Sequence, residues 1–239
     1  MTVAVVTGAS RGVGRGIAVE LGRSGATVYV TGRTNLDSCA AEIAAVGGTG
    51  VAVPLDHRDD AAVGRLFDRV VDEQGRLDLL VNSAFGTPSP WVSSGGFWEH
   101  PIALYDGMHD IGVRSTYVAS WYAARCMVSQ RRGLIVNVSS AAAARYFFSA
   151  AYGIAKAATD KLTADTAHEL APHGVTVVSL WPDLVRTEFF HEQVAAGAWP
   201  ADLPAQDPGD VGRAVLRLLD DPDLPSRAGA TLRVAELIS

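Results

Sequence analysis

The sequence predicts an α/β domain, a doubly wound, seven-stranded parallel sheet with helices on both faces. Three observations carry this expectation. Short β-branched runs alternate with longer helical patterns along the whole chain, an order that builds strand–helix–strand units and a parallel sheet. The strand runs are apolar at nearly every position, as in strands covered on both faces. The first strand leads straight into a glycine-rich turn, TGASRGVG at residues 7–14. Right-handed crossovers then nearly determine the doubly wound topology.

Taken in order, the predicted strands are Val3–Thr7 (VAVVT), Thr27–Thr31 (TVYVT), Gly50–Pro54 (GVAVP), Leu77–Asn82 (LDLLVN), Gly133–Ser139 (GLIVNVS), Val175–Leu180 (VTVVSL) and Thr231–Ala235 (TLRVA). Helical patterns lie between them, near 12–24, 36–47, 59–74, 102–130, 151–172 and 208–220. No internal repeat or low-complexity linker interrupts the alternation, so the 239 residues read as one domain. A chain of this length buries about 70–75% of its unfolded surface.

The net charge of −6 argues against nucleic acid or an anionic membrane as partner, and Arg131–Arg132 is the longest basic run. No apolar run reaches the roughly 18 residues of a membrane helix. The chain enters its first strand directly, without a leader pattern. Cys39 and Cys126 form no disulfide framework and read as small buried hydrophobes of a reducing, cytoplasmic environment. His100, His109, His168, His173 and His191 have no ligand spacing, and no metal is expected.

Gly8, Gly12 and Gly14 are spaced G-x-x-x-G-x-G. Gly8 permits the tight turn, Gly12 lets the backbone approach a pyrophosphate, and Gly14 lets the helix pack close to the sheet. The helix start adds free N–H groups and partial positive charge. Gly8, Ser10, Arg11, Gly12, Val13 and Gly14 are therefore a candidate dinucleotide site. An acidic residue about 20 positions further on would select NAD through the ribose 2′-hydroxyl. Here the second strand ends Val30-Thr31-Gly32-Arg33, and the next carboxylate, Asp37, falls in the following helix. Arg33 offers a planar fork to a 2′-phosphate, with Arg11 as a second cation. The expected cofactor is NADP(H).

Tyr152 and Lys156 lie four apart in SAAYGIAKAATDKL and share a helix face. An ammonium beside a phenol favours the phenolate and lowers its pKa from about 10, which makes a proton donor or acceptor near neutral pH. Lys156 and Lys161 are the only lysines. Tyr105, Tyr117, Tyr122 and Tyr146 have no lysine at i+4 and read as core or pocket wall. Two long connections, 83–101 and 182–207, begin at carboxyl ends of strands, where open α/β sheets bind ligands. Their aromatics are Phe85, Trp91, Phe97, Trp98, Phe189, Phe190 and Trp199. These either pack the loops onto the body or line an apolar substrate pocket.

Together TGASRGVG, LDHRD (55–59), LVNSA (80–84), GLIVNVSS (133–140), YGIAK (152–156) and WPDLVRT (181–187) resemble the short-chain dehydrogenase/reductase (SDR) family, of the single-domain, Rossmann-like kind, over essentially the whole chain. The chain looks most like the SDR family member 1 branch, through VYVTGR, GRLDLLVNSA, FWEHP, YGIAKAATDKLTADTAHEL and HGVTVVSLWP. The resemblance implies that Tyr152 is the catalytic acid/base and that Lys156 binds the nicotinamide ribose and lowers the tyrosine pKa, so both also belong to the cofactor-binding set. It implies a serine hydrogen-bonded to the substrate oxygen. Strand register favours Ser140, whereas the family's usual spacing back from Tyr152 gives Ser139. Asp56 is expected at the adenine, with His57 beside it or merely exposed. Asn82 and Ala84 are expected along the cofactor ribose. Val185 and Thr187, after Pro182, are expected at the carboxamide end. Faces of the helices at 102–130 and 151–172 pair subunits in the family, which implies a homodimer or homotetramer.

Three departures stand out. Gly112 occupies the position of the family's catalytic asparagine. The usual Asn-Asn-Ala-Gly reads Asn82-Ser83-Ala84-Phe85, placing a bulky ring near the cofactor edge. The usual Pro-Gly reads Pro182-Asp183, placing a carboxylate near the nicotinamide. The implied activity is hydride transfer between NADP(H) and a small carbonyl or alcohol substrate. The alternative is a catalytically weak or inactive dinucleotide-binding sensor or partner protein. SDR-type epimerases and dehydratases usually carry a longer chain with a substrate domain.

Overall fold

The computed structural model describes residues 1–86 and 95–239. Seven strands form one parallel sheet: β1 (Val3–Val6), β2 (Thr27–Gly32), β3 (Thr49–Pro54), β4 (Leu79–Asn82), β5 (Gly133–Val138), β6 (Val175–Trp181) and β7 (Thr231–Arg233). Their order across the sheet is β3-β2-β1-β4-β5-β6-β7, the doubly wound arrangement expected. The chain winds outward from β1 to β3, then returns to β4 and winds the other way. The switch between β1 and β4 opens the crevice in which such sheets bind ligands.

Strand residues alternate between two cores, as a period of two requires. Ala4 and Val6 of β1 face the core built with α1 (Gly12–Arg23), α2 (Leu36–Ala45) and α8 (Pro208–Leu219). Val3 and Val5 face the core built with α3 (Asp60–Gln74), α5 (Ser115–Gln130) and α6 (Ala150–Leu170). Cys39 lies in the first core and is a free thiol, and burial pushes its pKa up to about 11. No helix among the described residues is long and apolar enough to cross a membrane.

Four elements differ from the sequence expectation. The pattern at 102–130 is not one helix: α4 (Ile102–Met108) runs into a π-helical turn at His109–Arg114 before α5 begins. Gly112 sits in that turn, and two hydroxyls take carbonyls there, Ser115 that of Ile111 and Thr116 that of Gly112 at 2.8 Å. Side-chain back-bonding of this kind competes with the helical ladder. β4 begins at Leu79, because the buried Asp78 carboxylate accepts from Val3 N at 3.0 Å and pairs with Arg76 and Arg132. The connection 182–207 contains α7 (Glu188–Ala195), whose start is capped by Thr187 Oγ1 accepting from Phe190 N at 3.4 Å. The last strand stops at Arg233 and the chain continues as α9 (Val234–Ile238).

His57, expected beside the adenine or exposed, is turned into the protein. Its ring is buried, with Nε2 2.8 Å from Thr31 Oγ1, so it ties the segment after β3 to the end of β2. Nδ1 is buried without a partner. Burial lowers the imidazole pKa to about 4, opposed by the nearby Asp56 carboxylate. Between about pH 6.5 and 4 the unfolded chain binds this proton and the folded chain does not, so stability falls as pH drops through that window. The full loss is about 3 kcal/mol. We expect His57→Asn to flatten that acid limb in urea unfolding measured at pH 7, 5.5 and 4.5. An acid limb as steep as the wild type's would show that His57 does not set it.

Candidate active site

The carboxyl ends of β1, β4 and β5 bring the glycine turn and the tyrosine helix together. Gly8 (φ +67°) and Gly12 (φ +58°) are left-handed, where L side chains are strained. A Cβ on Gly8 would fall 2.6 Å from Ala84 Cα, and one on Gly14 would fall 2.5 Å from Gly8 O. Thr7 Oγ1 holds this approach by accepting from Ser83 N at 3.0 Å and Ala84 N at 3.1 Å. Arg11 is the extended residue before α1 and gives it no side-chain cap, so the first N–H groups, from Gly12, Val13 and Gly14, stay open to an anion. Gly12 and Ser10 line the turn, and Thr187 of the α7 connection packs beside Gly12.

Arg33 and Arg11 are exposed, and neither guanidinium has a hydrogen bond or ion pair among the described residues. Arg15, one turn into α1, is engaged by Glu42 and Ser38 and is not available in the same way. Asp56 is partly exposed and accepts from Arg58 N at 3.0 Å. Asn82 was expected along the cofactor ribose, but its side chain lies in the interior. Its amide nitrogen donates to Ser120 Oγ at 2.9 Å and Asn137 Oδ1 at 2.8 Å. Asn137 in turn donates to Thr163 Oγ1 at 2.9 Å. Asn82 Oδ1 is buried and has no hydrogen-bond partner among the described residues. Sequence reading missed this polar chain linking β4, β5 and α6. The signal available was Asn137, a single amide inside the apolar run GLIVNV.

Ser149 caps α6 by accepting from Tyr152 N at 3.2 Å, which sets Tyr152 in the first turn with Lys156 one turn further in. The two serines at the end of β5 separate cleanly. Ser139 is buried and its hydroxyl donates to the Lys156 carbonyl at 3.3 Å. Ser140 Oγ accepts from Ala142 N at 3.2 Å and lies beside the Tyr152 phenol, whose pKa it acts to lower. The Lys156 amine is buried, donates to Val138 O at 3.1 Å, and lies 5.7 Å from the Tyr152 ring centroid.

The electrostatics differ from the sequence expectation. Burial raises the Tyr152 pKa above its ordinary value, and the neighbouring Ser140 hydroxyl opposes the rise. The Lys156 amine is directed at the Val138 carbonyl. Burial lowers Lys156 itself to about 8, with Asp160 one turn along acting against the fall.

The long connections divide. Phe148 holds φ +59°, rare for a bulky residue. Its ring lies 5.4 Å from that of Tyr152 and stacks on Trp199 at 6.3 Å. Phe189 meets Trp199 edge-on at 5.6 Å, and Phe190 is buried beneath at 5.8 Å. Phe97 and Trp98 are exposed and meet each other edge-on at 6.0 Å, and Trp91 lies outside the described residues. Val185 is buried and bridges Gln206, while Pro182 is half-buried. Asp183, expected to bring a carboxylate toward the nicotinamide, is instead paired with Arg233 at 3.2 Å.

A family model described as short chain dehydrogenase matches residues 2–197. The protein "Dehydrogenase/reductase SDR family member 1" of Mus musculus is 42% identical over 98% of this chain and 80% of its own length. The Homo sapiens protein of the same description is also 42% identical, with the same coverage. A short-chain type dehydrogenase/reductase from Mycobacterium ulcerans superposes with TM-score 0.87 at 28% identity, over 98% of this chain and 88% of that one. The structure titled "ElxO with NADP Bound" shares the fold, with TM-score 0.87 at 24% identity over 98% and 96% of the two chains. Sequence match and superposition agree with the geometry at the sheet's carboxyl edge: the chain belongs to the short-chain dehydrogenase/reductase family of oxidoreductases.

Proposed function

We propose that this chain is an NADP(H)-dependent oxidoreductase that interconverts a small carbonyl compound and its alcohol by a Ser-Tyr-Lys mechanism. One observation carries the reading: the Ser140 hydroxyl beside the Tyr152 phenol, with Lys156 a helical turn along, at the sheet edge that holds the glycine turn. The residues fit a dinucleotide. The glycine turn leaves room that a Cβ would fill, the α1 start is open to a pyrophosphate, and unpaired Arg33 and Arg11 suit a 2′-phosphate. Asp56 suits the adenine, Ala84 the ribose through its backbone, and Pro182, Val185 and Thr187 the carboxamide end.

When bound, the nicotinamide supplies or takes up the hydride. Burial keeps the Tyr152 phenol protonated, which suits it to give a proton to a carbonyl oxygen, and Ser140 donates a hydrogen bond to the same oxygen. Lys156, with its pKa near 8, stands ready to support the phenolate left behind. The Phe148, Phe189 and Trp199 wall favours an apolar carbonyl compound. Free Cys39 and Cys126 suit a cytoplasmic protein.

Gly112 favours a second reading, a dinucleotide-binding sensor or partner with little turnover, because it carries no side chain for a proton relay. A carbonyl panel with NADPH, followed at the nicotinamide absorbance, separates the two. Under the first reading Tyr152→Phe lowers turnover by about 10²-fold or more while NADPH affinity stays within about twofold; full turnover in that variant refutes it. Arg33→Glu is expected to weaken NADPH by about 10–100-fold and NADH little, and equal losses remove the 2′-phosphate role. Tyr117 and Trp121 on α5 and Ile154 on α6 are exposed, which fits a homodimer or homotetramer across those helices. Light scattering should give a multiple of 25.1 kDa, and a stable monomer at micromolar concentration contradicts it.

A further inference from the structure

The two departures Phe85 and Gly112 lie against each other. A Cβ on Gly112 would sit 3.1 Å from Phe85 Cδ2 and 3.2 Å from Cε2, tighter than ordinary contact. The phenyl ring therefore fills space that a longer side chain at 112 would enter. The same ring has Lys156 Nζ 4.7 Å from its centroid and stands edge-on to Tyr152, centroids 5.6 Å apart at 88°. It packs on a small apolar cluster of Leu104, Met108 and Ala155. The Lys156 ammonium thus meets the Val138 carbonyl and two aromatic rings.

We propose that Phe85 is a positioning residue for Lys156: its ring stands where the family places a polar side chain from position 112, and by cation–π attraction it holds the ammonium against Val138 O, one turn from Tyr152. The inference rests on the reading of Tyr152 and Lys156 as the proton-transfer pair. A carbonyl satisfies one of the three ammonium N–H groups. An aromatic face within about 6 Å supplies negative potential without adding a titratable group or water.

Among the described residues the titratable groups around Lys156 are few. On α6 they are Tyr152 and Asp160, and the latter favours the ammonium. The end of β5 contributes only neutral groups, the Val138 carbonyl and the Ser139 and Ser140 hydroxyls. On the π turn, Asp110 is exposed and Arg114 is paired with Asp60 at 2.6 Å. The ring is thus the main support of the charge that does not come from α6 or β5.

Because Lys156 and Lys161 are the only lysines, NMR titration of the full chain carrying isotope-labelled lysine resolves Lys156 without any substrate. Phe85→Leu is expected to lower the Lys156 pKa by about 0.5–1 pH unit, and Phe85→Tyr, which keeps a ring, to leave it within about 0.2. An unchanged titration in Phe85→Leu overturns the proposal, as does an equal fall in Phe85→Tyr. If Phe85→Leu does not fold by circular dichroism, the space-sharing is tested directly. Gly112→Asn should lose turnover about tenfold, and Phe85→Gly/Gly112→Asn should recover most of it. Additive losses overturn the proposal. Turnover surviving in Tyr152→Phe refutes the proton-transfer reading separately, since the lysine titration is read without turnover.

Discussion

A buried ammonium with few partners is the constraint around which this edge of the molecule is arranged. Taking such a charge out of water costs several kcal/mol unless its neighbours compensate. Among the described residues the Lys156 amine has one carbonyl, Val138 O, and two ring faces. Its own carbonyl receives the Ser139 hydroxyl. These contacts bind α6 to the end of β5 from both ends of one residue. With α6 seated this way and its first turn capped by Ser149, Tyr152 stands at the mouth of the crevice, within reach of Ser140.

The glycine turn is tied to the same assembly by backbone rather than by charge. Thr7 at the end of β1 accepts two N–H groups from the chain leaving β4. Gly8 lies so close to Ala84 that no side chain fits between them. Below that contact, Asn82, Asn137 and Thr163 form a buried polar chain from β4 through β5 to α6. Side-chain hydrogen bonds between elements tie them to one arrangement. Here they join the strand beside the glycine turn to the helix of the tyrosine and lysine.

Opposite Tyr152, the α7 connection supplies apolar surface. Phe148 is held in a strained left-handed conformation and places its ring between Tyr152 and Trp199. Such strain persists only where the surroundings over-determine it, and it clusters at functional sites. The pairing of Asp183 with Arg233 takes the one acidic group of that connection's start out of play. The wall facing the tyrosine is aromatic.

Much of this was legible in the chain because it depends on local spacing. Strand runs, the glycine turn after β1, the absence of an acid at the end of β2 and the four-residue step from Tyr152 to Lys156 are properties of neighbours in sequence, and the sheet order followed from handedness. Strand register favours Ser140 over Ser139 as the site serine; the Ser139 hydroxyl is taken by the Lys156 carbonyl, and Ser140 lies beside Tyr152. What the chain could not reveal depends on burial and on partners far away in sequence. His57 faces inward because Thr31 is there to meet it; Asn82 is drawn into a network by Ser120 and Asn137; the Tyr152 pKa moves up because desolvation outweighs the lowering effect of Ser140. Phe85 and Gly112, two unrelated oddities 27 positions apart in the sequence, become a single feature only when the π turn brings the missing side chain and the added ring into the same space.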